Sequence, residues 1–262
     1  MAKKVLKKDW ATFTDGDYSL VNNPWNQGKL DNFRDYTQSI SFDTDDINHD
    51  VTFAWDWPKV GHVVAYPEII VGFKPWGKTG TDTPVTRLDD LGTLDVSIDY
   101  DISGSTNQFN VAFDIWLSDA PLAGPKHLTT ELMIWTHDGN FRPAGHKVGV
   151  YDDGDFRAQI WVANNFGDDS GDSDVTWRYI ALRATEEIRD DTIDIAAIIE
   201  DLVERGLISD QDYLNGYEFG AEVTGGKGKM ILHSIEHEFS TLSDGAKLPA
   251  SADTEAAADQ LF

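Results

Sequence analysis

Phe109-Asn110-Val111-Ala112-Phe113-Asp114-Ile115-Trp116 and, further on, Glu131-Leu132-Met133-Ile134-Trp135 are two apolar, strand-like runs separated by a stretch rich in turn residues. In a strand all side chains of one parity face one way. Glu131, Met133 and Trp135 therefore share a surface, and so do Asp114 and Trp116. An ordinary sandwich buries aliphatic residues on such a face. Carboxylates among indoles are instead the appearance of a groove that binds and cleaves sugars.

Working outward, the same period-2 alternation recurs at 51–57, 69–73, 94–100, 109–117, 131–135, 147–151, 158–163 and 175–183, with Gly, Asp, Asn and Pro between the segments. Two more strands are predicted at 217–223 and 230–239. Helix is scarce: only 193–205 carries the 3.6-residue period, through Ile195, Ile198, Ile199, Leu202 and Val203, with Gly206 as its stop. The predicted class is all-β, a jelly-roll sandwich of two antiparallel sheets with one short helix. No repeat or composition break marks a linker, so the 262 residues read as one catalytic domain over 1–242 and a polar, Ala-rich tail over 243–262.

The formal net charge is −25, from 46 acidic and 21 basic side chains. Such a surface repels phosphate backbones, which excludes nucleic acid as a partner. Its self-repulsion favours a soluble monomer. Screening by salt would relieve that repulsion, so the composition also suits a salt-rich milieu. With no cysteine, disulfides and thiolate metal sites are excluded. The Asp-rich stretch 167–174 lacks the D-x-D-x-D-G pattern of a calcium loop and reads as a solvated loop, and His233 and His237, four apart on a strand, point away from joint ligation. Neither a metal nor a cofactor is expected.

Hydrolysing a glycosidic bond takes two carboxyl groups flanking the anomeric carbon, ~5 to 5.5 Å apart when the configuration is retained. Glu131 fills one position. For the other, Tyr217-Glu218-Phe219-Gly220-Ala221-Glu222-Val223 offers Glu218 and Glu222 with the same parity, and the pattern alone does not choose between them. The plain alternative is that these glutamates only decorate a solvent face.

The paired strands 109–116 and 131–135 resemble the signature strands of glycoside hydrolase family 12, the compact β-1,4-glucanases and xyloglucanases. Val21-Asn22-Asn23-Pro24-Trp25 resembles the family's Asn-Asn-x-Trp segment, and Ala65-Tyr66-Pro67-Glu68 its Tyr-Pro segment. Arg142-Pro143-Ala144-Gly145 is similar to its cleft-crossing Pro-x-Gly loop, and Phe219-Gly220-Ala221-Glu222 with Gly226 and Gly228 to its second catalytic strand. The matches keep family order from about residue 18 to 240. Val223, where the family commonly has Pro, and the stretch 136–141 depart from the pattern.

The resemblance implies double displacement with Glu131 as nucleophile, Glu222 as general acid/base and Asp114 sharing a proton beside the nucleophile, leaving Glu218 in reserve. It also implies that Asn23, Trp25, Tyr66, Trp116, Met133, Trp135 and Pro143 contact a β-glucan polysaccharide. Two rivals are a non-catalytic carbohydrate-binding sandwich, which needs no carboxylate pair, and a retaining xylanase of the related clan. Met1 to Lys8 is basic without an apolar leader, and no run approaches the ~20 residues that span a membrane. The expectation is an extracellular enzyme whose leader is absent from this sequence, with a cytoplasmic one as the alternative.

Overall fold

A computed structural model describes residues 2–76, 81, 85–167 and 175–245. Two sheets face each other. The smaller runs β1 (Lys3–Leu6), β4 (Thr37–Asp43), β5 (His49–Trp57), β17 (Gly226–Thr241), β8 (Leu91–Gly104), β14 (Asp190–Asp194). The larger runs β11 (His146–Asp152), β12 (Arg157–Phe166), β13 (Trp177–Ala184), β10 (Leu128–His137), β9 (Val111–Ser118), β16 (Gly216–Gly220), β6 (Glu68–Gly72), β3 (Tyr18–Val21), β2 (Thr12–Asp15). A short strand, β15 (Tyr213–Leu214), joins β9 and is paired in turn by β7 (Thr86–Arg87). This is the predicted jelly roll.

Alternation builds the interior. Val51, Phe53, Trp55 and Trp57 of β5 and Leu94, Val96, Ile98 and Tyr100 of β8 are buried from one sheet; Phe113, Ile115, Leu117, Leu132, Ile134 and Phe219 are buried from the other, in one continuous cluster. Tyr100 packs edge-on against Phe219 at 5.7 Å and anchors its hydroxyl on the Ile188 carbonyl at 2.8 Å. The other face of the larger sheet is also lined with rings: Met133, Trp135 and Tyr179 pack with Trp161 and Phe166, and Trp116 packs with Leu128 and Trp177. A sheet apolar on both faces with carboxylates set into one of them is a lined groove, because the inner face alone suffices for a core.

Three expectations need correction. The sheets are not wholly antiparallel: β10 and β13 run parallel, with Glu131 beside Tyr179, because the chain makes the β11–β12 hairpin before returning next to β10. The helix, α1 (Ile195–Glu204), begins two residues later than predicted; Ile193 belongs to β14, and Asp194, which ends that strand, caps the helix with a side chain that accepts from Ala197 N at 2.8 Å. The strand after α1 loses its regular ladder at Gly220, although Val223 still bridges Ala65 and Phe109 in the same register. Past β17 the chain makes one helical turn, Leu242–Gly245. The remainder of the expected tail, and the Asp-rich loop from 168, lie outside the described residues.

Candidate active site

Four successive strands of the larger sheet each set one carboxyl on the groove face. These are Glu131 on β10, Asp114 on β9, Glu218 on β16 and Glu68 on β6. Register makes them neighbours: Glu131 pairs with Trp116, two residues along from Asp114, and Asp114 pairs directly with Glu218. Glu131 and Asp114 are each 7% exposed, Glu218 2% and Glu68 0%. Glu222 continues the parity of Glu218 past the end of β16. Gly220 stands between them because a Cβ there would meet the Pro67 carbonyl oxygen at 2.4 Å.

Each carboxyl has its own partners. Trp177 Nε1 donates to Glu131 Oε2 at 2.6 Å. Asn110, fully buried at the start of β9, holds Glu222 in three ways: its Oδ1 accepts the Glu222 N–H at 3.0 Å, its own N–H donates to the Glu222 carbonyl at 3.2 Å, and its amide Nδ2 donates to Glu222 Oε2. Lys74 Nζ reaches both oxygens of Glu68, at 3.0 and 2.9 Å, and Glu218 Oε2 at 2.6 Å; Asn23 Nδ2 adds a bond to Glu68 Oε1 at 2.9 Å. Asp114 Oδ1 and Glu218 Oε1 are buried without a partner.

Electrostatics follow from this burial. Desolvation pushes the Glu222 carboxyl up to about 7, against the pull of Asn110. It pushes Glu131 up to about 8, opposed by the Trp177 bond and reinforced by the charge of Glu222. Asp114 is raised well above the carboxylate range, by burial first and then by Glu131. Burial draws the Lys74 ammonium down, but Glu218 and Glu68 outweigh that and hold it raised. Tyr179, beside Glu131 in the parallel pair, is raised by burial and then by Glu222, Glu131 and Asp114 in turn. The acids therefore share one low-dielectric enclosure.

The other predicted contacts divide. Trp25 is half-buried. Tyr66 is buried and donates to the Ala112 carbonyl at 2.8 Å. Asn23 is 2% exposed, with its N–H committed to Glu68 and its Oδ1 unpartnered. Met133 lies beneath Trp135 and Tyr179, whose N–H and O–H approach its sulfur at 3.4 and 3.5 Å. Trp135 is buried against Phe141 at 5.3 Å, and Pro143 is buried in the following loop. Trp116 is 8% exposed, because Trp76 covers it edge-on at 4.6 Å and also meets Trp177 at 5.7 Å.

Asn110, Lys74, Trp76 and Glu68 were absent from the predicted set. Parity from Glu68 through Ile70 and Gly72 places Lys74 on the groove face, a signal that the sequence contains; the same parity runs on to Trp76, and Asn110 shares that of Asp114 and Trp116. Among the described residues no group of three or more His, Asp or Glu is arranged to hold a metal. No helix among them is long and apolar enough to cross a membrane.

The model of Glycosyl hydrolase family 12 matches residues 16–239. Endoglucanase S of Pectobacterium parmentieri is 28% identical over 227 residues, 84% of this chain and 81% of that protein. A probable xyloglucan-specific endo-beta-1,4-glucanase A of Neosartorya fischeri is 26% identical over 126 residues, 48% of this chain and 47% of that one. Among solved structures, a family 12 xyloglucanase from Bacillus licheniformis superposes with a TM-score of 0.79 at 24% identity, over 90% of this chain and all of the other. Endoglucanase cel12A from Rhodothermus marinus gives 0.72 at 25% identity, over 90% and 100%.

Proposed function

Since the chain belongs to glycosyl hydrolase family 12 and by that membership is an endo-β-1,4-glucanase, we propose that it works by double displacement, with Glu131 attacking and Glu222 as general acid/base. The observation that carries this reading is the separate treatment of the two glutamates on one face. An indole N–H stabilises Glu131 as an anion, while Asn110 aims Glu222 from outside the row of acids. Glu222 protonates the departing glycosidic oxygen as a Glu131 oxygen bonds to the anomeric carbon. Water then enters, gives its proton to Glu222 and displaces Glu131, so the β configuration returns.

Taken one by one, burial and the neighbouring groups would leave the proton on Glu131, pushed up to about 8, before Glu222, pushed up to about 7. The reaction needs the opposite arrangement. Asp114 supplies it: neighbouring buried carboxyls titrate as a unit, and the proton settles on the member with the fewest donors. That member is Asp114, with an unpartnered oxygen, rather than Glu131, which accepts from Trp177. The reactive state thus has Asp114 and Glu222 protonated and Glu131 charged.

Trp25, Trp76 and Trp116 with Tyr66, Met133, Trp135 and Pro143 make the walls and floor against which glucose rings stack, with Asn23 beneath. Mixed-linkage glucan, cellulose-type chains and xyloglucan all fit this chemistry, and the relatives' names include both endoglucanase and xyloglucan-specific enzymes. The acting unit is 1–242. It works outside the cell, because the polymer does not cross a membrane, and as a monomer, because a charge of −25 resists association.

Glu131→Gln and Glu222→Gln are each expected to abolish cleavage of a soluble β-1,4-glucan while the folded spectrum is kept. Azide is expected to rescue alanine at 131 with inverted product and alanine at 222 with retained product. Exchanged stereochemistry would exchange the roles, and retained activity in either glutamine variant would end the assignment for that residue.

A further inference from the structure

The described part of the groove holds five carboxyls, Glu68, Asp114, Glu131 and Glu218 buried and Glu222 half-buried, and the one ammonium bonded among them is that of Lys74. It lies at one end of the row. Donors thus hold both ends: Lys74 binds Glu68 and Glu218, and the Trp177 indole binds Glu131. The middle member, Asp114, has an oxygen with no partner, and so has Glu218 across the strand pair. Hydrogen bonds from cations and N–H groups favour the charged form, and an acid between two anions keeps its proton. Among the described residues the remaining faces add no cation: Tyr66 lies with its ring 5.9 Å from Lys74 Nζ, and Tyr179 flanks Glu131.

We propose that Lys74 is a positioning residue for the nucleophile: clamped by Glu68 and Glu218, its ammonium is the positive charge that Asp114 and Glu131 face along the row, and it favours the charged Glu131 that attacks. This rests on Glu131 being the nucleophile. Lys74 touches no reacting atom, and its 14% side-chain exposure leaves it little room to meet substrate. It acts through the row. Its charge draws Asp114 and Glu131 down, against the burial that raises both. Without the ammonium that pull is gone, and Glu131 holds its proton to higher pH.

The test is the acidic limb of kcat/KM against pH, measured on a soluble β-glucan for the unaltered chain, Lys74→Met and Glu218→Gln. A limb shift reports protonation of the nucleophile, whereas a loss of packing lowers the plateau without moving the limb. Lys74→Met is expected to move the limb up by about one pH unit, a loss of about tenfold on its slope. Glu218→Gln, nearly isosteric and without the charge that raises Glu131, is expected to move it down. Limbs that stay in place, or that move in the same direction, would overturn the proposal, and if Lys74→Met does not fold, Glu218→Gln decides alone. Unmoved limbs beside an inactive Glu131→Gln chain count against Lys74 only, while an active Glu131→Gln chain counts against the nucleophile.

Discussion

Trp177 Nε1 lies 2.6 Å from Glu131 Oε2, and it reaches across the parallel pair that joins β13 to β10. This is a charge-assisted bond inside a closed environment, worth ~1.5–3 kcal/mol to the charged form. Trp177→Phe keeps most of the ring and removes the donor. The expected result is a ~10- to 100-fold fall in kcat/KM below neutrality and an acidic limb moved to higher pH. An unmoved limb would mean that the indole only packs.

Asn110 acts on the other glutamate. Its amide bond favours charged Glu222, so removing it raises a carboxyl already pushed to about 7. The acid must be protonated to donate, so activity falls as pH rises through that value. Asn110→Ala is therefore expected to shift the alkaline limb upward while lowering kcat, since the acid is no longer aimed. A pH–rate profile separates the two effects, and a limb displaced downward would contradict the argument.

Much of this was legible in the sequence because a two-residue period survives in almost any strand context. Val51 to Trp57 and Leu132 with Ile134 point inward as their parity demands. The parallel pairing of β10 with β13 was not legible, because pairing partners depend on how the chain closes, and side chains do not encode that locally. Glu218 and Glu222 share a parity, so the pattern could not separate them; in the structure they differ in their partners, Lys74 binding Glu218 and Asn110 binding Glu222. The resemblance implies Asn23 as a sugar contact, and what the sequence does not show is that its side-chain N–H serves Glu68. Short N-terminal strands such as Lys3–Leu6 and Thr12–Asp15, mostly exposed, carry too little apolar contrast to show.

Trp76 is 40% exposed and leans edge-on against Trp116 and Trp177. A ring so placed stabilises little by burial, but it offers a face to a sugar. Trp76→Ala is expected to raise KM severalfold with kcat within about twofold, and to change the unfolding free energy by less than ~1 kcal/mol. An equal fall in kcat and kcat/KM would place Trp76 in transition-state stabilisation instead.

A net charge of −25 repels itself in the folded state more than in the expanded one. Raising salt from about 0.1 M to about 2 M shortens the Debye length from ~10 Å to a few Å. The melting temperature in KCl is expected to rise by several degrees over that range. A flat or falling curve would show that the acidic surface is not a liability in dilute buffer.

A partly desolvated acid also bears on stability. Glu222 has an ordinary value of 4.5 and is pushed to about 7 in the folded chain, so between those values the folded state holds a proton that the unfolded state releases. Stability therefore falls as pH rises through that window, by on the order of 1–3 kcal/mol for this group. Glutamine needs no proton. Glu222→Gln is accordingly expected to be more stable than the unaltered chain at pH about 8, by ~2–10 °C in melting temperature, and the advantage is expected to close below pH about 4.5. The same substitution abolishes activity in the reading above, so one variant sets the cost of a catalytic acid in stability against its use in chemistry. Calorimetry at both pH values decides it, and a difference independent of pH would mean that the carboxyl of Glu222 is not desolvated.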